Sequence, residues 1–183
     1  MTSFMAQTCD LLARTPEILR TLLIGLPEAW TGTPDAAGGW RPRDVVGHLI
    51  TAEQTDWMTR ARRIFERGTA VPFDRLERFA MLERDVAVPL DELVERFASL
   101  RATNLAALAE LVTEEADLDR RGLHPSLGEV TLRQLLAAWT VHDLDHLGQI
   151  YAGLAGSRDA DVGPWKAYLG ILLRRDDPST VAG

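Results

Sequence analysis

The sequence predicts an all-α protein, a four-helix bundle with a long crossover connection between helices 2 and 3 and a short C-terminal fifth helix. Four long segments carry apolar residues at every third or fourth position, which is the spacing of one helix face. No segment of useful length alternates apolar and polar residues as a half-buried strand would. The 183-residue chain is expected to form one domain, with residues 176–183 as a flexible tail.

The first two helices are bounded by proline and glycine. The first covers about residues 4–26, and Pro16 is expected to kink or restart it because proline removes a helix hydrogen bond. The second follows Gly38-Gly39-Trp40, carries Pro42 in its first turn and ends near Arg67. Proline is tolerated in a first turn because the N–H that it lacks would have no helix partner there.

The last two bundle helices follow a long connection. Residues 68–88 make a connection of about 20 residues, too long for a tight turn, so we expect it to join opposite ends of the bundle. The third helix opens at Pro89 and presents leucine and phenylalanine along one side. The fourth opens with Thr131 followed by Gln134, which is the spacing of a capping box, and lasts to about Leu154.

The short fifth helix is predicted after Gly163-Pro164. Apolar side chains follow at the spacing i, i+3, i+4 and i+7, namely those of Trp165, Tyr168, Leu169 and Leu172. One helix face would gather these four residues, so we expect that face to dock on the bundle.

Composition limits the partners of the chain. The net charge of −7 argues against nucleic acid and against an anionic membrane as partners. Residues 1–15 lack a signal-peptide pattern and no apolar run approaches membrane-spanning length, so the cytoplasm is the expected location. Cys9 is the only cysteine, which excludes an internal disulfide and a cysteine zinc cluster. Any metal must therefore be held by histidine and carboxylate.

Three of the four histidines could meet in the bundle and hold a metal ion. His142 and His146 lie one turn apart on one face of the fourth helix, and His48 lies on the second helix. Burying imidazoles without partners costs roughly 1–3 kcal/mol for each unsatisfied nitrogen, and a metal ion removes much of that cost. Three protein nitrogens also leave a coordination position for water or substrate, as in catalytic zinc sites. The alternative is that each is an ordinary hydrogen-bonded histidine.

Other polar residues have competing interpretations. His124 lies in a loop before the fourth helix, where it is a candidate catalytic acid or base, a further metal ligand, or a loop hydrogen bonder. Asp143 and Asp145 either orient the imidazoles or make solvated and cross-helix contacts. Glu53 is interpreted as a polar contact with another helix. Because Asp143 replaces the glutamate of the H-E-x-x-H zinc-protease motif, a peptidase is disfavoured.

Two motifs and a C-terminal tetrapeptide together resemble a known family. The first motif is W-R-P-R-D-V-V-G-H-L at residues 40–49, followed by Glu53. The second is H-P-S-L-G-E-V-T-L at residues 124–132, which leads into H-D-L-D-H-L-G-Q-I at residues 142–150. With V-G-P-W at residues 162–165, they resemble the DinB-like (DinB/YfiT) superfamily of bacterial metal-binding four-helix bundles over nearly the whole chain.

The resemblance implies that His48, His142 and His146 bind the metal, with zinc or nickel as the ion, and that the protein is a homodimer. Because imidazole must be neutral to bind a metal, the metal affinity is expected to fall below about pH 6.5. The chain departs from the family at Arg41, where relatives have a Ser or Thr helix cap. The start of helix 2 is therefore expected to rely on Asp44 and the helix dipole.

Three functions are compatible with these features. The resemblance favours a metal-dependent transferase that joins a low-molecular-weight thiol (bacillithiol, mycothiol or glutathione) to small electrophiles. A bound metal can hold such a thiol as its nucleophilic thiolate near neutral pH. The alternatives are a non-catalytic metal-binding stress-response or binding module, and a metal-assisted hydrolase. An open pocket beside the metal ligands would favour chemistry on a small-molecule substrate.

Overall fold

The computed structural model describes residues 3–175, which form helices and one small antiparallel sheet. In chain order the elements are α1 (Ser3–Leu23), α2 (Glu28–Thr31), α3 (Pro42–Thr55), α4 (Trp57–Arg67), α5 (Met81–Arg84), α6 (Leu90–Leu111), a 3-10 helix (Glu115–Asp119), β1 (Arg121–His124), β2 (Gly128–Thr131), α7 (Leu132–Gly156), α8 (Asp159–Val162), a second 3-10 helix (Gly163–Tyr168) and α9 (Gly170–Arg175). None of these described helices is both long and apolar enough to cross a bilayer.

The bundle consists of α1, α3 with its continuation α4, α6 and α7. Both α1 and α3 pack against α6 and α7, so α1 and α3 stand at opposite corners. The connection from α4 to α6 covers residues 68–89 and carries α5, which packs on α3. The predicted four-helix bundle with a long crossover between helices 2 and 3 is confirmed.

The first helix runs through Pro16 as one continuous helix, so the restart, one of the two outcomes expected there, is wrong. Proline lacks the N–H that would bond to the carbonyl four residues earlier, which is the carbonyl of Leu12. The Arg101 guanidinium donates to this carbonyl instead, with Nη1 2.8 Å from the oxygen. α1 ends at Leu23, and Gly25 follows with a φ of 78°, a conformation that favours glycine.

The predicted second helix is interrupted at Asp56, which divides it into α3 and α4. The hydroxyls of Thr51 and Thr55 donate to the carbonyls four residues earlier, at 3.0 and 2.8 Å, and such contacts bend helices. Asp56 departs from helical geometry, with φ −112° and ψ −77°. Beyond the bend, the Trp57 ring stacks on Trp139 with centroids 5.7 Å apart, so Trp57 is buried inside the chain.

A short hairpin was not predicted from the sequence. β1 and β2 pair antiparallel, from Arg121 opposite Thr131 to His124 opposite Gly128. The strands have four residues each and no apolar–polar alternation, so no period-two pattern marks them. Gly128 turns the chain with a φ of 78°. The predicted all-α class is confirmed, and this hairpin is the one sheet among residues 3–175.

The C-terminal segment differs from the predicted fifth helix. Residues 163–168 form a 3-10 helix and α9 begins only at Gly170, so the four expected docking residues do not share one α-helical face. Leu172 is 2% exposed and docks as predicted, whereas Trp165 and Tyr168 are 71% and 87% exposed. The prediction that these two aromatic residues dock on the bundle is wrong. The predicted tail, residues 176–183, lies outside the described residues.

The helix-start predictions are confirmed. The Thr131 hydroxyl accepts the Gln134 N–H at 3.2 Å, and the Gln134 side chain accepts the Thr131 N–H at 2.8 Å, which completes a capping box for α7. At the start of α3, the Asp44 carboxylate accepts the backbone N–H of Arg41 at 3.0 Å. This negative side chain in the first turn also interacts favourably with the positive end of the helix dipole.

Apolar side chains fill the bundle in two layers with a polar layer between them. One apolar layer contains Leu12 and Trp139, and the other contains Leu19, Phe97 and Ile150. The polar layer takes one buried residue from each bundle helix, namely Thr15 of α1, Glu53 of α3, Arg101 of α6 and Asp143 of α7.

Arg101 uses all five of its N–H groups in this layer. Nε and Nη2 donate to Glu53 Oε1 at 3.0 and 2.8 Å, and Nη1 and Nη2 donate to Asp143 at 2.6 and 3.0 Å. The remaining N–H goes to the Leu12 carbonyl. The two carboxylates carry one charge more than the guanidinium, which neutral donors help to offset. These donors are Thr15, which bonds to Asp143, and Asn104 and Trp139, which bond to Glu53.

Replacing Arg101 with methionine should lower the free energy of unfolding by about 3–5 kcal/mol, because two buried carboxylates lose their counter-charge. Urea denaturation followed by circular dichroism measures the change. Arg20→Met is the matched control, since Arg20 pairs with Glu95 at 2.7 Å on the exposed surface. The control should leave stability nearly unchanged. Equal stability of the two variants would contradict a structural role for the polar layer.

Candidate metal centre

Three imidazoles converge where α3 and α7 pack together. His142 Nε2 lies 3.2 Å from His48 Nε2 and 3.0 Å from His146 Nε2. One ligand atom from each residue lies within 4.8 Å of the other two. A tetrahedral zinc ion with nitrogen ligands at about 2.0–2.1 Å separates them by about 3.3 Å. The two distances from His142 Nε2 therefore suit ligands of one small cation.

Hydrogen bonds at the opposite ring nitrogen orient two of the rings. His48 Nδ1 lies 3.3 Å from the Arg78 carbonyl oxygen, and His146 Nδ1 lies 2.6 Å from Gln149 Oε1. Both oxygens only accept, so each Nδ1 carries the proton and each Nε2 keeps a lone pair. His142 Nδ1 is buried and has no hydrogen-bond partner among residues 3–175.

These assignments leave the cluster with more lone pairs than protons. His142 Nε2 contacts both of the other Nε2 atoms, and one proton on it can be donated to only one of them. An unpaired acceptor therefore faces another nitrogen in a buried place, which is unfavourable. A divalent cation would accept all three lone pairs, and neutral imidazole is a preferred donor for zinc and nickel. The residues present thus fit a bound metal ion.

Burial keeps the three imidazoles neutral. It lowers the pKa of His48 to about 4 and that of His142 to about 2, and repulsion between the imidazoles adds to the effect. Burial also lowers the pKa of His146, against the opposing effect of the Gln149 hydrogen bond. The sequence predicts a loss of metal affinity below about pH 6.5, the pH at which a free imidazole becomes protonated. Because the buried imidazoles stay neutral at lower pH, we expect the folded site to keep its affinity below that value.

The histidine cluster opens into a cleft of about 1160 Å³. Charged residues line it on several sides, namely Asp35, Arg78, Asp145 and Arg174. Trp40 and Phe79 contribute aromatic walls, and the Trp40 ring stacks near His146 with centroids 6.2 Å apart. A Cβ atom built on Gly148, which also lines the cleft, would meet nothing within 4 Å. The space beside the three nitrogens is large enough for a small molecule.

His124 lies apart from the cluster. It ends β1, and its Nδ1 accepts the backbone N–H groups of Ser126 and Leu127 at 3.2 and 3.1 Å. It is not among the described residues that line the cleft. These contacts favour the interpretation of His124 as a loop hydrogen bonder over a role as catalytic residue or metal ligand.

The acidic candidates separate into two groups. Asp143 and Glu53 make cross-helix contacts in the polar layer. A cross-helix contact was the predicted role of Glu53 and one of the two roles considered for Asp143. Asp145 is exposed and lines the cleft beside the cluster. The residue that orients His146 is Gln149 rather than an aspartate.

The roles of several residues around this site were not predicted from the sequence. Gln149 was recognisable as an acceptor for His146, because it lies three residues later on the same helix face. Arg101 lies four residues after Phe97 on the buried face of α6. A charged residue on a buried helix face indicates a buried ion pair. Arg78 lies in the crossover, where no periodic pattern fixes the direction of a side chain.

Comparison with known sequences identifies relatives of this chain. Residues 11–150 match the DinB superfamily. A Bacillus licheniformis protein, named as a candidate metal-dependent hydrolase, is 30% identical over 149 residues that cover 77% of this chain and 80% of the relative. A Bacillus mycoides protein of the same description is 26% identical over 135 residues that cover 74% and 76% of the two chains.

A solved structure has the same fold. YfiT from Bacillus subtilis, described as a probable metal-dependent hydrolase with an unusual four-helix bundle topology, superimposes with a TM-score of 0.70 and 19% identity. The match covers 82% of this chain and 86% of YfiT. Since the family match alone spans residues 11–150, the chain belongs to the DinB superfamily.

Proposed function

We propose that this chain is a divalent-metal-dependent hydrolase whose metal is bound by His48, His142 and His146. The observation that carries the proposal is the convergence of three neutral imidazoles in an open cleft. Three nitrogen ligands leave coordination positions for water and substrate, as in catalytic zinc sites. The relatives named as candidate metal-dependent hydrolases support the same reaction class.

A zinc or nickel ion held by His48, His142 and His146 would activate water and the bond to be cleaved as a Lewis acid. The net reaction adds water across an acyl bond and releases an acid and an alcohol or amine. The side chain that we propose to take up the proton is Asp145, which lines the cleft beside His146. The other lining carboxylate, Asp35, already accepts the backbone N–H groups of Ala36 and Trp40.

The thiol transferase and the non-catalytic binding module remain hypotheses that the assays below decide. The proposal also includes a small-molecule substrate and a homodimer. The dimer is supported by the exposed aromatic side chains of Trp165 and Tyr168, which a second copy would cover.

Replacing any histidine of the cluster should abolish stoichiometric metal binding. We expect one divalent ion per wild-type chain and none retained after dialysis by His48→Ala, His142→Ala or His146→Ala, because two nitrogens are too few for a stable site. Elemental analysis of the purified proteins measures the metal content. His124→Ala is the matched control and should keep full content. Full metal content in all three cluster variants would refute the assignment.

The free energy of unfolding of the metal-free protein should fall as the pH decreases from about 6.5 to about 4. The unfolded chain binds protons on histidine near pH 6.5, whereas folded His48 stays neutral down to about pH 4. The contribution of His48 to the free energy of unfolding is therefore complete above about pH 6.5 and is lost as the pH falls through about 4. The loss is on the order of 3 kcal/mol.

Urea denaturation at a series of pH values tests this dependence. His48→Gln should flatten the slope of stability against pH in that window, because the buried imidazole is gone. His124→Gln removes a more exposed imidazole and should flatten the slope less. Identical slopes for wild type and His48→Gln would show that burial of this imidazole does not control the pH dependence.

Hydrolysis should require both the metal and access to the cleft. Metal-loaded protein is tested on a panel of chromogenic esters and anilides, and we expect turnover to disappear with a chelator and return with the ion. Gly148→Leu should keep its metal but lower turnover at least about tenfold, since its side chain would enter the open space. Gly148→Ala is the matched control and should retain most of the activity.

The same panel separates the remaining hypotheses. Turnover that needs glutathione, mycothiol or bacillithiol together with an electrophile would assign a transferase instead. No turnover under either condition would assign the binding module. Asp145→Asn should lower hydrolysis without loss of metal if Asp145 takes up the proton, and His124→Ala should leave hydrolysis unchanged.

A further inference from the structure

One side of the cleft is formed by Arg78, Trp40 and Phe79, which we name the arginine wall. The Arg78 guanidinium carbon lies 5.6 Å from the Trp40 ring centroid and 5.1 Å from the Phe79 ring centroid. The two rings stand edge to face, with centroids 6.1 Å apart. The aromatic rings therefore hold the guanidinium in place by cation–π contacts.

Arg78 differs from the other described arginines that lie over aromatic rings. Each of those has a carboxylate partner as well, in the pairs Arg60–Asp56, Arg101–Asp143, Arg120–Asp117, Arg133–Glu115 and Arg158–Asp161. The Arg78 guanidinium has no hydrogen bond or ion pair to any residue from 3 to 175. Its five N–H donors are available to a ligand in the cleft.

The arginine wall is directly connected to the histidine cluster. The Arg78 carbonyl accepts the proton of His48 Nδ1 at 3.3 Å, and the Trp40 ring lies 4.9 Å from the His48 ring. Arg78 and the three histidines line the same cleft. A small molecule with its reacting bond at the histidines can therefore place another group against Arg78.

We propose that Arg78 binds a carboxylate of the substrate, so that the cleft accepts small amides or esters that bear a carboxylate. This inference rests on the proposed hydrolase function and names its substrate class. A guanidinium offers parallel N–H groups that match the two oxygens of a carboxylate. A doubly charged phosphate is repelled more strongly than a singly charged carboxylate by Asp35 and Asp145, which line the cleft together with a second arginine, Arg174.

Two metal-binding probes, one of which carries an additional carboxymethyl group, test the proposal without any turnover. Acetohydroxamate and succinic acid monohydroxamate are titrated into the zinc-loaded protein by calorimetry. Wild type should bind the carboxylate probe at least about tenfold more tightly, as a charge-assisted hydrogen bond requires. Arg78→Met should bind both probes equally, with the affinity for acetohydroxamate unchanged. Arg78→Lys should show an intermediate preference, because it keeps the charge and loses the paired donors.

Arg133→Met is the matched control, since Arg133 also lies over a ring, 4.6 Å from the Phe4 centroid, but does not line the cleft. It should keep the wild-type preference, and circular dichroism and metal content verify the folding of each variant. Equal binding of the two probes by wild type would overturn the role of Arg78 and leave the metal site intact. A preference that persists in Arg78→Met would also overturn it.

Failure of the proposed function gives a different result. If neither hydroxamate binds the zinc-loaded wild type, the ion offers no open coordination position in the cleft and the hydrolase proposal is refuted. The role of Arg78 is then decided in the metal-free protein, by nuclear magnetic resonance of its side-chain Nε–H. A saturable shift with succinate and none with succinamide would support carboxylate binding, and no shift with either would overturn it.

Discussion

The buried guanidinium of Arg101 is the constraint on which the bundle depends. A side chain that is 1% exposed must have its N–H groups paired, and its acceptors belong to α1, α3 and α7. A slip of one helix by a turn, about 5.4 Å, would leave buried donors and carboxylates unpaired. The apolar layers supply most of the driving force for folding but tolerate other packings. The polar layer therefore specifies how the four helices align.

The same alignment places the histidines. Asp143 follows His142 directly, and Glu53 lies one turn and a half beyond His48. When both carboxylates bind one guanidinium, α3 and α7 are fixed at that level, and His48 meets His142 across the interface with 3.2 Å between the Nε2 atoms. The rotation of about 100° between adjacent helical residues turns His142 from the core toward the cleft while Asp143 stays inside.

The cleft concentrates features that are unfavourable in the isolated chain. Three lone pairs converge without enough protons, and Arg78 has no carboxylate among the described residues. Elsewhere in the described chain, buried charges are paired, as in the polar layer. A cation at the nitrogens and an anion at the guanidinium would each relieve one of these costs. Unrelieved polar groups in a cleft are expected where a fold gives up stability for binding.

Features that depend on local spacing follow from the sequence alone. Apolar periodicity located the bundle helices, Thr131 and Gln134 marked the capping box of α7, and the interval of four residues put His142 and His146 on one face. Local spacing says nothing of residues that meet only after folding. The partners of Arg101, the position of Arg78 and the exposure of Trp165 were therefore decided by tertiary structure. Each depends on how separate segments pack, and packing energy depends on contacts that no single segment contains.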